Sequence, residues 1–272
     1  MKFLNWLKKL FKIPQSEAPK TSTRVVETKP PKVETVAGLD EVVKWWEWCG
    51  FKMSDVRILS DVIPFAVQHS KKMKTSGTYK GGWPKGAVVH YTAGRDTKGR
   101  AFSTIEGGIK NGYTYLCIDI DGTIVQAHPV SRYGAHAGRS AMTGYYGGLN
   151  DDFIGIEINN PGKLKERNGK LYTDFDLEVP RDQARYVTYE AHGCPTGWYK
   201  KFSEAQEKSL VRLLLWLYYS SPNKKQFSLD GVVGHHEIAG LKGLGFWRKS
   251  DPGGSLWLPM EELRNFLKKI TP

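Results

Sequence analysis

Cysteine is scarce in this sequence, and long apolar runs are missing. The three cysteines, Cys49, Cys117 and Cys194, are widely spaced and form no CxxC pair. This pattern argues against a disulfide framework and against a cysteine-rich zinc site, so we expect free and mostly buried thiols. The longest apolar stretch, residues 213–219, is well short of the ~20 residues that a membrane-spanning helix needs.

A conventional export signal is also missing. Residues 1–12, MKFLNWLKKLFK, have neither the continuous apolar segment nor the small-residue cleavage site of a secretory signal, so we expect no conventional export. On a helical wheel the apolar side chains at positions 3, 4, 6, 7, 10 and 11 fall within an arc of about 160°, which predicts a basic amphipathic helix. Two interpretations stay open: the apolar face contacts an anionic membrane, or it docks on the chain's own domain or on a partner.

Acidic residues are few relative to basic ones. The chain has 40 Lys and Arg against 28 Asp and Glu, a formal net charge of +12 and a pI near 9.4. Such a charge favours an anionic partner, which could be nucleic acid, an acidic membrane or bacterial wall polymers. Because no recognisable nucleic-acid-reading motif is present, we expect no nucleic-acid partner.

Composition divides the chain of 272 residues into four segments. After the amphipathic helix of residues 1–12, residues 13–36 are rich in Pro, Ser, Thr and charge, which predicts a flexible linker. Residues 37–78 include helix-like apolar spacing over 39–70 and are interpreted as a helical N-terminal extension. Residues 79–272 are long enough for one main domain.

The main domain alternates apolar strand patterns with helix patterns. Strands are predicted at 87–90, 115–120, 124–127 and 153–158, several of them too apolar to be edge strands. Ser203 and Gln206 form a capping box that opens one helix, and Pro259 opens another. We therefore predict an α/β fold in the mixed α+β sense, with a central, mostly buried mixed sheet flanked by helices.

Three side chains form a candidate metal site. His90 ends the apolar strand pattern AVVH, His235 follows the strand-like GVVG, and Asp251 lies in RKSDPGG. Two imidazoles and one carboxylate are a donor set typical of catalytic zinc. Spacing alone makes this a weak signal, because no HExxH motif ties two of the ligands together.

The ordered motifs VVHYTAG, GYTYLCIDIDGTIVQ, HAG, IGIEI, GHHEIAG and RKSDPGG strengthen the case. Together they resemble the zinc-dependent N-acetylmuramoyl-L-alanine amidases of type 2, a family that includes phage endolysins and peptidoglycan recognition proteins. The resemblance spans residues 83–270. It implies a Zn²⁺ cofactor in a groove at the strand ends, with His90, His235 and Asp251 as ligands, and it makes residues 79–272 an amidase catalytic domain.

The resemblance also assigns catalytic roles. It implies that Glu157 of IGIEI is the catalytic carboxylate and that Lys249 is the catalytic lysine, which would stabilise the developing oxyanion. The strand pattern agrees for Glu157, because the isoleucines at 154, 156 and 158 would share one face and send Glu157 to the other. An ordinary solvated turn remains the alternative for Lys249.

Substrate contacts are less sharply defined. His136 of HAG resembles a groove-lining histidine of the family, although a capped loop histidine or a partner of a metal ligand would look the same. Tyr113 is the candidate substrate-binding tyrosine, but the register leaves open whether Tyr113 or Thr114 faces the site. His236 competes with His235 for the ligand role, and motif register favours His235.

Two departures from the family pattern stand out. The stretch between His235 and Asp251 is longer than in most members, which leaves the shape of that wall open. The third ligand is Asp where some members have Cys. The carboxylate of Asp is a harder ligand than a thiolate and still suits zinc.

The resemblance implies a monomeric peptidoglycan hydrolase that cleaves the amide between N-acetylmuramic acid and L-Ala. With no export signal, the expected role is that of a phage endolysin held in the host cytoplasm, or at the membrane periphery, until release to the wall. Two alternatives remain: an intracellular amidase that recycles muropeptides, and a recognition module that binds peptidoglycan without cutting it.

Overall fold

The computed structural model describes residues 39–142, 149–222, 226–239 and 248–271. The predicted helix at 1–12 and the whole predicted linker at 13–36 therefore lie outside the described residues. The strands, in chain order, are β1 Val67–Gln68, β2 Gly77–Thr78, β3 Gly86–Tyr91, β4 Leu116–Ile118, β5 Ile124–Gln126, β6 Arg132–Tyr133, β7 Phe153–Ile158, β8 Lys163–Arg167, β9 Lys170–Tyr172, β10 Glu178–Val179, β11 Ala184–Val187, β12 Gly197–Lys200 and β13 Val232–Gly234. The α-helices are α1 Leu39–Cys49, α2 Arg100–Asn111, α3 Tyr189–His192, α4 Glu204–Tyr219, α5 His235–Ala239 and α6 Met260–Lys269.

The central sheet confirms the predicted fold class. Within the described residues it has six strands in the order β1-β5-β4-β7-β3-β13. The β4–β5 pair is antiparallel, whereas the other neighbours are parallel, so the sheet is mixed. Its inner strands β3, β4 and β7 are almost entirely buried, as their apolar sequences predict.

The two faces of the sheet pack against different elements. Ile154, Ile156 and Ile158 point into the main core, which includes α4 and α6. The helix α4 begins with the predicted capping box, in which Ser203 and Gln206 each accept a hydrogen bond from the other's backbone N–H. On the opposite face of the sheet, Val88 and Phe153 belong to a smaller cluster, and the polar ends of β3 and β7 open onto a cleft.

A second sheet lies between β7 and α4 in the sequence. It is antiparallel, with the order β10-β9-β8-β12-β11 in the described residues. Its β8–β9 hairpin turns through Asn168 and Gly169, both with positive φ, as expected for a tight two-residue hairpin turn. The strands of this sheet were not predicted from the sequence, although Asn-Gly between two strand-like runs is a recognised hairpin signal.

The N-terminal extension is helical only over α1. The segment from 50 to 78 consists of loops, two short strands and one 3₁₀ turn, so the helix predicted from the apolar spacing over 39–70 is present over its first part only. Asp55 pairs with Arg212 of α4 at 3.0 Å, and Trp46 donates a hydrogen bond to the carbonyl of Ile270. Both contacts hold the extension against the main domain.

Two predictions about composition can be compared directly with the structure. Cys49, Cys117 and Cys194 are all free and buried, as expected. Among the described residues, no helix is long and apolar enough to cross a membrane.

Candidate active site

The register of three parallel strands brings the candidate residues together. β3 lies between β7 and β13, and His90 pairs with Glu157 across the β3–β7 ladder. Gly234 pairs with Val89, so His235, the first residue of α5, follows at the level of His90. The carboxyl ends of adjacent parallel strands are where open α/β sheets bind ligands.

Three donor atoms converge at this edge. The Nδ1 atoms of His90 and His235 lie 3.0 Å apart, and Asp251 Oδ2 lies 3.0 Å from the first and 2.9 Å from the second. All three residues are buried. Donors around a tetrahedral zinc, with bonds of about 2.0–2.1 Å, are separated by roughly 3.3 Å, so this triangle needs only a small expansion to hold the ion.

The hydrogen bonds around the triangle also suit a cation. His235 Nε2 lies 3.2 Å from the carbonyl oxygen of Ala137, which can only accept, so Nε2 carries a proton; in the neutral ring that binds a metal, the lone pair is then on Nδ1, on the side of Asp251. Burial lowers the pKa of His90 to about 4, so its imidazole is neutral at physiological pH and available as a ligand. We conclude that these residues fit a zinc ion.

Glu157 provides a carboxyl group beside the triangle. One of its oxygens, Oε2, is buried and has no hydrogen-bond partner within the described residues. Burial, together with the nearby charge of Asp251, raises the pKa of Glu157 to about 8. A carboxyl group that exchanges a proton near neutral pH and faces a cleft is suited to general acid–base chemistry.

The segment that carries Lys249 is attached to β3. Tyr91 and Ser250 share a very short hydrogen bond between their hydroxyl groups, and Tyr91 also accepts a bond from the backbone N–H of Lys163. Lys249 is partly buried and lines the same cleft as Glu157. Lys249 therefore places an amino group in the same cleft as the donor triangle and Glu157.

The cleft itself has a volume of about 620 Å³. Its floor holds the donor triangle and Glu157, and its rim includes Tyr113, Asp174 and Arg248. This size is within the usual range for sites that hold a small molecule or a short segment of a polymer.

The sequence profile of one family decides the identity of this arrangement. The profile described as N-acetylmuramoyl-L-alanine amidase matches residues 80–254, more than half of the chain. The chain belongs to this amidase family. The match includes every candidate site residue, and its start at residue 80 is next to the predicted domain boundary at 79.

Several solved structures are similar to this amidase chain. A selenomethionine derivative of AmpD has 20% identity and a TM-score of 0.48, covering 75% of this chain and 97% of that one. The endolysin amidase LysCS from Clostridium intestinale has 18% identity and a TM-score of 0.43, covering 76% and 98%. AmiD from E. coli, in complex with anhydro-N-acetylmuramic acid-L-Ala-D-γ-Glu-L-Lys, has 21% identity and a TM-score of 0.44, covering 71% and 60%. No curated protein matches the chain.

The remaining residues predicted for the amidase site occupy distinct positions. Tyr113 is half-exposed and lines the cleft, whereas Thr114 is buried and its hydroxyl donates to the carbonyl of Lys74. Their register, which the sequence left open, is thus settled in favour of Tyr113 facing the cleft. His236 directs Nδ1 to the backbone carbonyl of Asp251 and lies outside the donor triangle.

His136 also lines the cleft, and it contacts a ligand candidate directly. Its Nδ1 lies 3.3 Å from His90 Nε2, and its Nε2 lies 2.8 Å from the carbonyl oxygen of Phe153. Burial lowers the pKa of His136 well below its usual value. Among the residues that the structure describes, His136 is therefore placed both to line the groove and to touch the donor set.

Sequence reasoning missed the supporting residues of the amidase site. Neither Asn150, which anchors the loop of His136, nor the carbonyl of Ala137 beside His235 carries a recognisable signal in a single sequence. Gly155 did carry one, because a glycine inside an apolar strand marks a close approach of another group. The long stretch noted between His235 and Asp251 falls mostly on 240–247, outside the described residues.

Proposed function

We propose that this chain is a zinc-dependent amidase that hydrolyses the bond between N-acetylmuramic acid and the L-Ala of the peptidoglycan stem peptide. The observation that carries the proposal is the buried triangle of His90, His235 and Asp251 beside a buried oxygen of Glu157 that has no hydrogen-bond partner among the described residues. Family membership supports the choice of bond. AmiD, in the complex noted above, holds a fragment that contains this linkage.

The three donors would hold the zinc ion in the cleft floor. When bound, zinc lowers the pKa of water to about 7 and polarises a carbonyl group, which makes an amide open to attack near neutral pH. Tyr113 and His136 line the walls beside this point and are proposed to contact the substrate.

Glu157 is proposed to handle the proton. Its raised pKa allows it to accept a proton from the attacking water, while a bond forms between that oxygen and the amide carbon. It then delivers the proton to the nitrogen as the carbon–nitrogen bond breaks, so that the stem peptide leaves with a free N-terminal amine. Lys249 is proposed to stabilise the negative charge on the carbonyl oxygen during this step.

We further propose that the protein is a lytic enzyme, acting as a phage endolysin. A net charge of +12 suits a polyanionic wall, and a basic amphipathic segment at 1–12 suits an anionic membrane on the way to it. In this proposal the protein accumulates in the host cytoplasm, at most at the membrane periphery, and acts as a monomer on peptidoglycan after release.

The test is digestion of purified sacculi by zinc-loaded protein, with released peptides identified by mass spectrometry. Wild type should release stem peptides with a free N-terminal L-Ala, while a chelator or the substitution His235→Ala should abolish release. Muropeptides that emerge with the sugar–peptide bond intact would contradict the amidase assignment.

A second comparison separates lysis from recycling. The lytic proposal expects intact sacculi to be cleaved at least as fast as soluble muropeptide fragments. A strong preference for the soluble fragments would instead favour an intracellular recycling amidase. Binding to sacculi without any release of peptide would favour a recognition module.

A further inference from the structure

His136 has a fixed direction of hydrogen bonding at both ring nitrogens. Its Nε2 lies 2.8 Å from the carbonyl oxygen of Phe153, which can only accept a hydrogen bond, so Nε2 carries the proton. A neutral imidazole has one N–H, so Nδ1 of His136 is an acceptor. The group 3.3 Å from that acceptor is Nε2 of His90.

The hydrogen-bond direction at His136 also determines the tautomer of His90. If His136 Nδ1 accepts, His90 must donate from Nε2, and a neutral His90 then has its lone pair on Nδ1. That nitrogen is the one that lies 3.0 Å from both His235 Nδ1 and Asp251 Oδ2. The chain from Phe153 through His136 therefore aims the lone pair of His90 at the centre of the donor triangle.

The surroundings of His136 are built to hold the ring in this position. A Cβ atom at Gly155 would lie 2.7 Å from Cγ of His136. The imidazole therefore packs against β7 at a position where only glycine leaves enough space. Asn150 Oδ1 accepts hydrogen bonds from the backbone N–H groups of His136 and Ala137, both at 2.8 Å. One loop thus orients both ligand histidines, since the carbonyl of Ala137 faces His235.

We propose that His136 is a positioning residue for the metal site, which fixes the tautomer and orientation of His90 through this hydrogen bond. The proposal rests on the zinc site of the proposed function and gives His136 a role beyond lining the groove. Groups that orient a metal-bound histidine commonly change metal affinity by about 10–100-fold when they are removed.

A pair of amide substitutions separates the two hydrogen bonds of His136. In His136→Asn the side-chain oxygen takes roughly the place of Nδ1 and can still accept from His90. In His136→Gln the amide reaches the place of Nε2 and can still donate to Phe153, but the acceptor for His90 is lost. His136→Phe keeps the ring volume and removes both bonds.

The measurement is the zinc dissociation constant of each variant, by competition with a chromophoric chelator at fixed pH. We expect zinc affinity to fall about 10–100-fold in the Phe and Gln variants and to stay within about threefold of wild type in the Asn variant. Unfolding of the metal-free proteins serves as the control: it should be similar for the Asn and Gln variants, which shows that the difference is in the site.

The outcomes also separate this proposal from the proposed function. Wild type that binds no zinc and releases no peptide would overturn both. Wild type that binds zinc and cleaves, together with Phe and Gln variants of unchanged zinc affinity, would overturn only the positioning role. A raised KM with unchanged zinc affinity in those variants would likewise assign His136 to the groove alone.

Discussion

The orientation of Glu157 is determined by the strand that carries it. On β7 it alternates with three core isoleucines, so its carboxyl group is forced out of the apolar face and into the cleft. The alternation was readable from FIGIEI alone. The raised pKa of Glu157 could not be predicted in this way. It depends on burial and on the charge of Asp251, which is far from Glu157 in the sequence.

The substitution Glu157→Gln tests the proton-transfer role. The amide keeps the size of the side chain but cannot exchange a proton, so we expect kcat to fall about 10²–10⁴-fold. Zinc content should be unchanged, because Glu157 is not one of the three donors. Steady-state kinetics on soluble muropeptide, with metal analysis of the same samples, makes the measurement. A variant that keeps near-normal kcat with full zinc would remove Glu157 from the mechanism.

His128 gives a pH-dependent prediction away from the metal site. Burial lowers its pKa to about 4, its Nδ1 donates to the carbonyl of Pro129, and its Nε2 has no partner in the described part of the chain. The unfolded chain therefore binds a proton near pH 6.5 that the folded protein resists until about pH 4. Stability is fully present above pH 6.5 and is lost as the pH falls from 6.5 to 4, by about 3 kcal/mol for this group.

The substitution His128→Asn removes that titration and keeps a donor near Pro129. Urea unfolding of wild type and variant at pH 7.5 and at pH 4.5 should show a smaller acid-induced loss for the variant. Equal losses in the two proteins would mean that His128 does not titrate as its burial indicates.

At the scale of secondary structure, prediction succeeded where burial is one-sided or complete. The apolar run of β3, the alternation of β7 and the capped start of α4 each specify one local structure, and all three are present. The segment 50–78 and the second sheet were missed. Their strands are short and mixed in polarity, so tertiary pairing rather than local pattern determines them.

The helix α1 is predicted to brace the domain without taking part in the chemistry. Trp45 is buried, and its ring makes edge contacts with Trp48 and with Phe266 of α6, at centroid distances of 5.5 and 4.8 Å. Trp45→Ala should lower the free energy of unfolding by about 3–5 kcal/mol. Val43→Ala, on the exposed side of the same helix, should change it by no more than about 0.5 kcal/mol.

Urea unfolding of both variants measures this difference, and kcat in dilute buffer serves as the control. We expect kcat to be unchanged in both, because α1 does not line the cleft. A loss of kcat in folded Trp45→Ala would show that the extension shapes the active site as well as supporting it.

At the scale of the whole molecule, the site could be predicted because the ligands follow strand ends. His90 is near the carboxyl end of β3 and His235 directly follows β13, and adjacent parallel strands bring such positions together. Asp251 was only a weak candidate until the family motifs were added, because nothing in its spacing shows that it returns to the same edge. The position of the His136 loop beside His90 depends on three-dimensional packing, so it could not be predicted from the sequence.

The basic segment at residues 1–12 is predicted to bind an anionic membrane. Residues 1–12 contain four lysines and no acidic residue, together with six large apolar side chains besides Met1. Such a segment binds anionic bilayers through both burial and charge, and the electrostatic part weakens as salt increases. Deleting residues 1–12 should therefore remove binding to vesicles rich in phosphatidylglycerol, while kcat on soluble muropeptides stays the same. Vesicle co-sedimentation at low and high salt makes the measurement, and vesicles of phosphatidylcholine alone control for charge. If the deleted protein sediments as well as the full chain, the segment does not bind membrane and its apolar face is left to dock on protein.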